Sequence, residues 1–249
     1  MAAKKHRSRR RPAISLYAVF ATVVMLVALV LGFSVFFRVN TVRVEGSSYY
    51  SEEEVLSVAD IGTGNIIFFT GTDDARARLY AQMPYIYSVD IVKQLPDTVT
   101  IHVNESEAVA YIAASGKNWL IDEHGKVLGE MAGRSNGNYI RVLGITPLAI
   151  EEGKMLEVDP EQQTMLDALV NILTAIRQAD VVAKVKNVDV SNISNATFTY
   201  DAIYEVDFGS GVDAAYKISK LINIVSQLEE GVKGRIDLSK EGRTHFIPA

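Results

Sequence analysis

The sequence predicts an α+β protein in three parts: an N-terminal transmembrane helix, a small βααββ module, and a mixed β module whose curved sheet is backed by two helices. Three observations carry this reading. Pro12 to Phe37 is a run of 26 residues without a charge. The next stretch, to Glu105, reads strand, helix, helix, strand, strand. From Glu107 onward strand patterns dominate, interrupted by two long amphipathic segments.

The apolar centre of the first run, Ile14 to Phe37, would be roughly 36 Å long as a helix, enough to cross a hydrocarbon layer of ~30 Å. A cleaved signal peptide has a shorter apolar core and a small-x-small site. This run is longer and ends in the bulky Val35-Phe36-Phe37. Six basic residues precede it (Lys4, Lys5, Arg7, Arg9, Arg10, Arg11), whereas only Arg38 and Arg43 follow nearby, soon joined by Glu45 and Glu52 to Glu54. The positive-inside rule therefore places residues 1–13 in the cytoplasm and the body of the chain outside it, at the plasma membrane.

In the first module, Phe37 to Glu45 is a β-branched strand closed by Gly46-Ser47-Ser48. Ser51 and Glu54 have capping-box spacing at the head of a helix. Gly62-Thr63-Gly64 matches half of a dinucleotide-binding fingerprint but lacks its third glycine, so it reads as a turn. Thr72 or Asp73 caps a second helix that Pro84 stops. Tyr85 to Lys93 is a strand. After Leu95-Pro96-Asp97, Thr98 to Asn104 alternates, with Val99, Ile101 and Val103 on one face.

The second module begins with strands at Val109–Ala113, Asn118–Ile121 and Lys126–Leu128; the last two flank the turn Asp122-Glu123-His124-Gly125. Met131 to Asn138 is a loop, and Tyr139 to Leu143 a strand. Asp159-Pro160 opens a helix with Met165, Leu169, Ile172 and Ile176 at helical spacing. Strands follow at Lys184–Val190, Ala196–Tyr200 and Tyr204–Phe208. A helix then runs from about Val212 to Leu228, and a final strand from Gly234 to Leu238. Residues 38–105 thus form one module, 106–239 the other, and 240–249 a loosely held tail.

Composition narrows the function. Six of the 25 basic residues and none of the 30 acids lie in the first 11 positions, so the remainder is acidic and unsuited to nucleic acid. With no cysteine, thiol catalysis, disulfides and Cys-based metal sites are excluded. The four histidines (His6, His102, His124, His245) form no ligand motif. No S-x-x-K or P-loop occurs, and Gly133-Arg134-Ser135-Asn136-Gly137, which matches G-x-S-x-G in letters, falls in the Met131 to Asn138 loop between strand patterns rather than at a strand-to-helix elbow. The paired acids Asp73/Asp74, Glu151/Glu152 and Glu229/Glu230 are adjacent rather than set across a cleft. No cofactor or small-molecule substrate is expected. A membrane-anchored envelope enzyme stays as the alternative, recognisable by a deep pocket with convergent polar groups.

An ordered set of motifs behind the anchor is more specific. It comprises Val42-Arg43-Val44-Glu45-Gly46, Ser51 to Val55, Gly64-Asn65-Ile66-Ile67, Pro84-Tyr85-Ile86 and Leu95-Pro96-Asp97-Thr98-Val99-Thr100-Ile101-His102-Val103-Asn104-Glu105. Trp119 to Val127, Lys220-Leu221, Gly234-Arg235-Ile236-Asp237-Leu238 and Phe246-Ile247-Pro248 complete it. Together they resemble the FtsQ/DivIB family of bacterial cell-division proteins, with Ser106 and Ala108 where the family often has Arg and Pro. The resemblance implies a POTRA domain at 38–105, the family's β domain after it, a septal location and no enzymatic role. It also implies FtsL-type and FtsB/DivIC-type partners and a part in controlling septal peptidoglycan synthesis. By that resemblance the partner site lies on the last strand and the preceding helix: Tyr216, Lys217, Lys220, Arg235, Ile236, Asp237, Leu238 and Phe246. An unpaired terminal strand there would accept a partner strand by β-augmentation, the alternative being that the chain's own tail covers it; a proline at Ile236 or Leu238 is expected to abolish binding.

Overall fold

A computed structural model describes residues 16–131, 137–192, 194–229, 231–240 and 245–249. The expected cytoplasmic tail, the first residues of the anchor and most of the 131–138 loop lie outside the described residues. Helix α1 (Leu16–Phe36) has 21 residues and none buried. It is apolar and long enough to cross a membrane, about 31 Å at 1.5 Å per residue.

The first module is β1 (Thr41–Glu45), α2 (Glu52–Ala59), α3 (Thr72–Gln82), β2 (Ile86–Gln94) and β3 (Thr98–Glu105). The sheet order is β1-β3-β2, with β1 parallel and β2 antiparallel to the central β3. Val55, Ala59, Ala75 and Leu79 from the helices meet Val99, Ile101 and Val103 from β3 in one core. The Ser51/Glu54 capping box forms in both directions. The second helix differs from expectation: Gly71 takes the N-cap, and no side chain caps it. Asp73 and Asp74 instead lie in its first turn, where the helix dipole favours acids. Gly46 is required where it stands, because its φ is +85° and a Cβ there would lie 2.3 Å from the Val103 carbonyl oxygen.

The second module opens with β4 (Ala110–Ala114), β5 (Lys117–Ile121), β6 (Val127–Glu130) and β7 (Ile140–Leu143). The short β8 (Pro147–Ala149) and β9 (Glu157–Val158) pair with each other. A 3₁₀ turn at Pro160–Gln162 leads into α4 (Gln163–Gln178). Then come β10 (Val185–Asp189), β11 (Ala196–Tyr200), β12 (Tyr204–Gly209), α5 (Ala214–Val225), β13 (Gly234–Asp237) and β14 (His245–Pro248). Among the described residues, nine strands form one mixed sheet in the order β14-β13-β12-β11-β10-β7-β4-β5-β6. Its core face packs on Leu169, Ile172 and Ile176 of α4 and on Ile218 and Leu221 of α5. Strand β14 corrects the sequence reading: residues 245–248 of the supposedly loose tail are a strand.

The modules meet through Tyr85, Leu120 and Leu128, with Tyr50, Tyr111 and Tyr139 around them. Tyr87 stacks on His124 with ring centroids 5.0 Å apart. Lys126 Nζ donates to the Ile86 carbonyl at 2.6 Å. Ser106, one of the two departures from the family pattern, joins both sides. Its N–H donates to the Tyr85 carbonyl at 2.7 Å, and its hydroxyl bonds the fully buried Asp122 at 2.9 Å.

Candidate partner-binding edge

Parallel strands need a crossover, and α5 supplies it between β12 and β13. Within β13, alternation sends Ile236 to the core, fully buried, and leaves Arg235 exposed. Leu238 follows Ile236 inside at 3% exposure. Arg235 forks onto Asp207 of β12: Nη2 donates to Oδ1 at 2.6 Å, and Nε donates to Oδ2. The hydrogen bonds and charge of Asp207 raise the Arg235 pKa above its ordinary value. Asp237 accepts from the Ser239 hydroxyl at 2.6 Å and the Ser239 N–H at 2.9 Å, which holds its carboxyl below the usual range.

The outer edge of β13 is not open, contrary to the sequence reading. Strand β14 pairs antiparallel along it, with Arg235 opposite Ile247 and Ile236 opposite Phe246. Phe246 packs toward the core, edge-on to Tyr204 at 6.3 Å. The Ala249 N–H donates to the Lys233 carbonyl at 3.0 Å. By antiparallel alternation, Arg235 and Asp237 therefore exchange backbone bonds with Ile247 and His245. The backbones of Phe246 and Pro248 face away, and Pro248 has no N–H. The outward edge of β14 is thus a poor template for another strand.

Alternation also corrects the expected proline test. Gly234 donates to the Ile203 carbonyl at 3.4 Å and Leu238 to the Asp207 carbonyl at 2.8 Å. Even-numbered positions of β13 thus bond to β12. A proline at Ile236 or Leu238 would break the sheet internally rather than test a partner surface.

On α5, Tyr216 is exposed, and Lys220 Nζ lies 5.9 Å from the centre of its ring. Lys217 Nζ donates to the carbonyls of Phe208 and Ser210 at 3.0 and 2.9 Å. That ties the helix to the end of β12, beside Leu238. The structure therefore gathers Lys217, Arg235 and Asp237 around β12 and β13, with Tyr216 on the exposed face of α5. It withdraws the side chains of Ile236 and Leu238 into the core. Sequence reasoning missed Asp207 and Ile247. The signal for β14 was the run His245 to Pro248, in which Pro248 reads equally as the mark of a loose end and of a protected edge.

A cleft of about 700 Å³ lies at the module junction, lined by Ser48, Tyr49, Tyr85, Glu105 and Tyr139 among others. Glu105 accepts bonds from the N–H groups of Ser48, Tyr49 and Tyr50 and from the hydroxyls of Ser47 and Ser48, at 2.6 to 3.2 Å. Partial burial would raise its pKa, but these bonds outweigh it and hold the carboxyl low. A general acid needs the opposite shift; Glu105 instead holds the turn after β1. Among the described residues no group of three or more His, Asp or Glu is placed to hold a metal.

Comparison with known proteins agrees along the chain. A family model described as POTRA domain, FtsQ-type, matches residues 37–106. A second, described as cell division protein FtsQ/DivIB, C-terminal, matches residues 110–239. Cell division protein DivIB of Clostridium acetobutylicum is 29% identical over 208 residues, covering 83% of this chain and 81% of that protein. DivIB of Clostridium botulinum strain Hall is 26% identical over 245 residues, covering 98% and 93%. Cell division protein FtsQ of Corynebacterium glutamicum is 23% identical over 167 residues, covering 66% and 68%.

Proposed function

The chain belongs to the FtsQ/DivIB family of cell-division proteins, and from that premise we propose that it is a non-enzymatic divisome scaffold binding FtsL-type and FtsB/DivIC-type proteins outside the cytoplasm. Helix α1 anchors it in the plasma membrane at the septum, with the basic N-terminus inside. Through these partners it helps to control septal peptidoglycan synthesis.

The observation that carries the partner site is the edge of β13. Its backbone groups at Arg235 and Asp237 are aligned for an antiparallel strand and are met by only four residues of β14. A partner strand of greater length takes the place of β14, bonds to the same backbone groups and reads Arg235, Asp237 and Tyr216 with its side chains. Direct addition outside β14 is disfavoured by Pro248.

A pull-down tests this, using the full chain in detergent beside a chain ending at Lys240. The shortened chain keeps β13 and the core but lacks β14. It should bind the FtsL-type and FtsB/DivIC-type proteins at least as tightly as the full chain. Loss of binding by a shortened chain that still melts cooperatively would move the site onto the tail. No binding by either chain would remove the scaffold reading.

A further inference from the structure

We infer that the first module rests on the outer surface of the membrane through Phe68 and Phe69, an apolar foot inserted at the lipid interface next to α1. This rests on the reading of α1 as a membrane span.

The uncharged run ends at Phe37, directly before Arg38, so the last turn of α1 sits at the outer boundary of the apolar layer. Phe33 is in that turn. Phe68, from the loop between α2 and α3, stacks on Phe33 with centroids 5.6 Å apart and planes 15° apart, and lies 5.3 Å from Phe37. Phe68 is therefore at the same depth as the end of the span. The loop is held there by backbone bonds: Ile67 N–H to the Phe37 carbonyl at 2.9 Å, Val39 N–H to the Asn65 carbonyl at 2.9 Å, and Gly64 N–H to the Val39 carbonyl at 2.8 Å. Ile67 is fully buried and pins the loop to the module core, whereas Phe69 beside it is 84% exposed.

A single exposed apolar residue is ordinary. Here the Phe68 ring is in contact with the end of a membrane-spanning helix and Phe69 follows it in the same 3₁₀ turn, so the surface that covers Phe33 also covers Phe68 and reaches Phe69. Charges of both signs surround this foot, with Asp73, Asp74 and Asp97 on the acidic side and Arg38 and Lys93 on the basic side. Arg38 Nε donates to the Ser34 carbonyl at 3.0 Å, and Lys93 Nζ donates to the Thr70 carbonyl at 3.0 Å. The β2–β3 turn, joined to this end by the Asn40 N–H to Asp97 carbonyl bond of 2.9 Å, adds the exposed Leu95. A foot of this kind fixes the tilt of the module over the bilayer, which a single tether cannot do.

The chain has no cysteine, so single thiols can be placed and labelled cleanly. The full chain is reconstituted in phosphatidylethanolamine–phosphatidylglycerol vesicles containing lipid spin-labelled near the headgroup or near the chain end. Fluorophores are attached at Leu26→Cys, Phe69→Cys, Leu95→Cys and Tyr216→Cys. Expected are deep quenching at position 26, shallow quenching at 69 and 95, and none at 216. Shallow quenching at 95 should be lost when Phe68→Ser and Phe69→Ser are added, which keeps the reading independent of a label at 69. Deep quenching at 26 with purely aqueous behaviour at 69 and 95 overturns the foot while leaving the span intact. Absence of quenching at 26 overturns the span, and the foot with it.

Discussion

Arg235 on β13 and Asp207 on β12 form a two-pronged ion pair across neighbouring parallel strands. Asp207 is 9% exposed, and its carboxyl oxygens are met by that fork and by the Asn195 amide at 3.5 Å. Arg235→Ala would leave a buried carboxylate without its main partner and lower the unfolding temperature by several degrees. Arg235→Lys keeps the charge but not the planar fork, and should recover only part of the loss. Thermal unfolding of the two variants, monitored by circular dichroism, checks the order.

Glu105→Gln removes the charge that accepts the bonds closing the turn after β1. A loss of about 1–2 kcal/mol at neutral pH is expected once solvent screening is allowed for. Hydrogen bonds hold the folded-state pKa of Glu105 below its unfolded value. Its contribution is therefore complete above the unfolded value and is lost as pH falls through the folded one. The gap between parent and variant in denaturant melts should close on acidification through the carboxylate range; a gap constant from neutral to acid pH would show that the charge does not act.

The order of elements was legible because local rules act locally. Val42, Val44, Val99, Ile101 and Val103 alternate as strands must, and Ser51 with Glu54 writes a helix start that forms as read. What sequence could not supply were relations between distant segments. Nothing local states that β1 lies parallel to β3, or that β7 sits between β10 and β4. Strand β14 escaped for the same reason: its four residues gain their partner only from β13. Asp122 looked like a turn residue, and is one, accepting from the N–H groups of His124 and Lys126 at 2.9 Å each. Its second role, the bond to Ser106 that joins the modules, is visible only in three dimensions.

Gly46→Ala should destabilise the first module by about 1–3 kcal/mol, combining a left-handed backbone with a collision at the Val103 carbonyl. Gly231 has a similar φ of +83° with open space around its missing Cβ, so Gly231→Ala should cost less. Equal losses in chemical denaturation would show that the collision is relieved by movement of β3.

Pro248→Ala tests whether the end of the sheet is protected by design. In the parent, the backbones of Phe246 and Pro248 face outward from β14 and offer one N–H between them. The substitution restores a second donor two residues away, on the same edge and at the spacing a docking strand uses. It leaves the Arg235–Ile247 pair untouched, because position 248 does not bond to β13. The fold should therefore melt at nearly the parental temperature while the edge becomes competent to pair with a second copy. Analytical ultracentrifugation across a concentration series should show self-association increasing in the variant relative to the parent. If the two sediment alike, the edge is shielded by something other than the missing donor, and the argument that partners must displace β14 rather than extend it loses its footing.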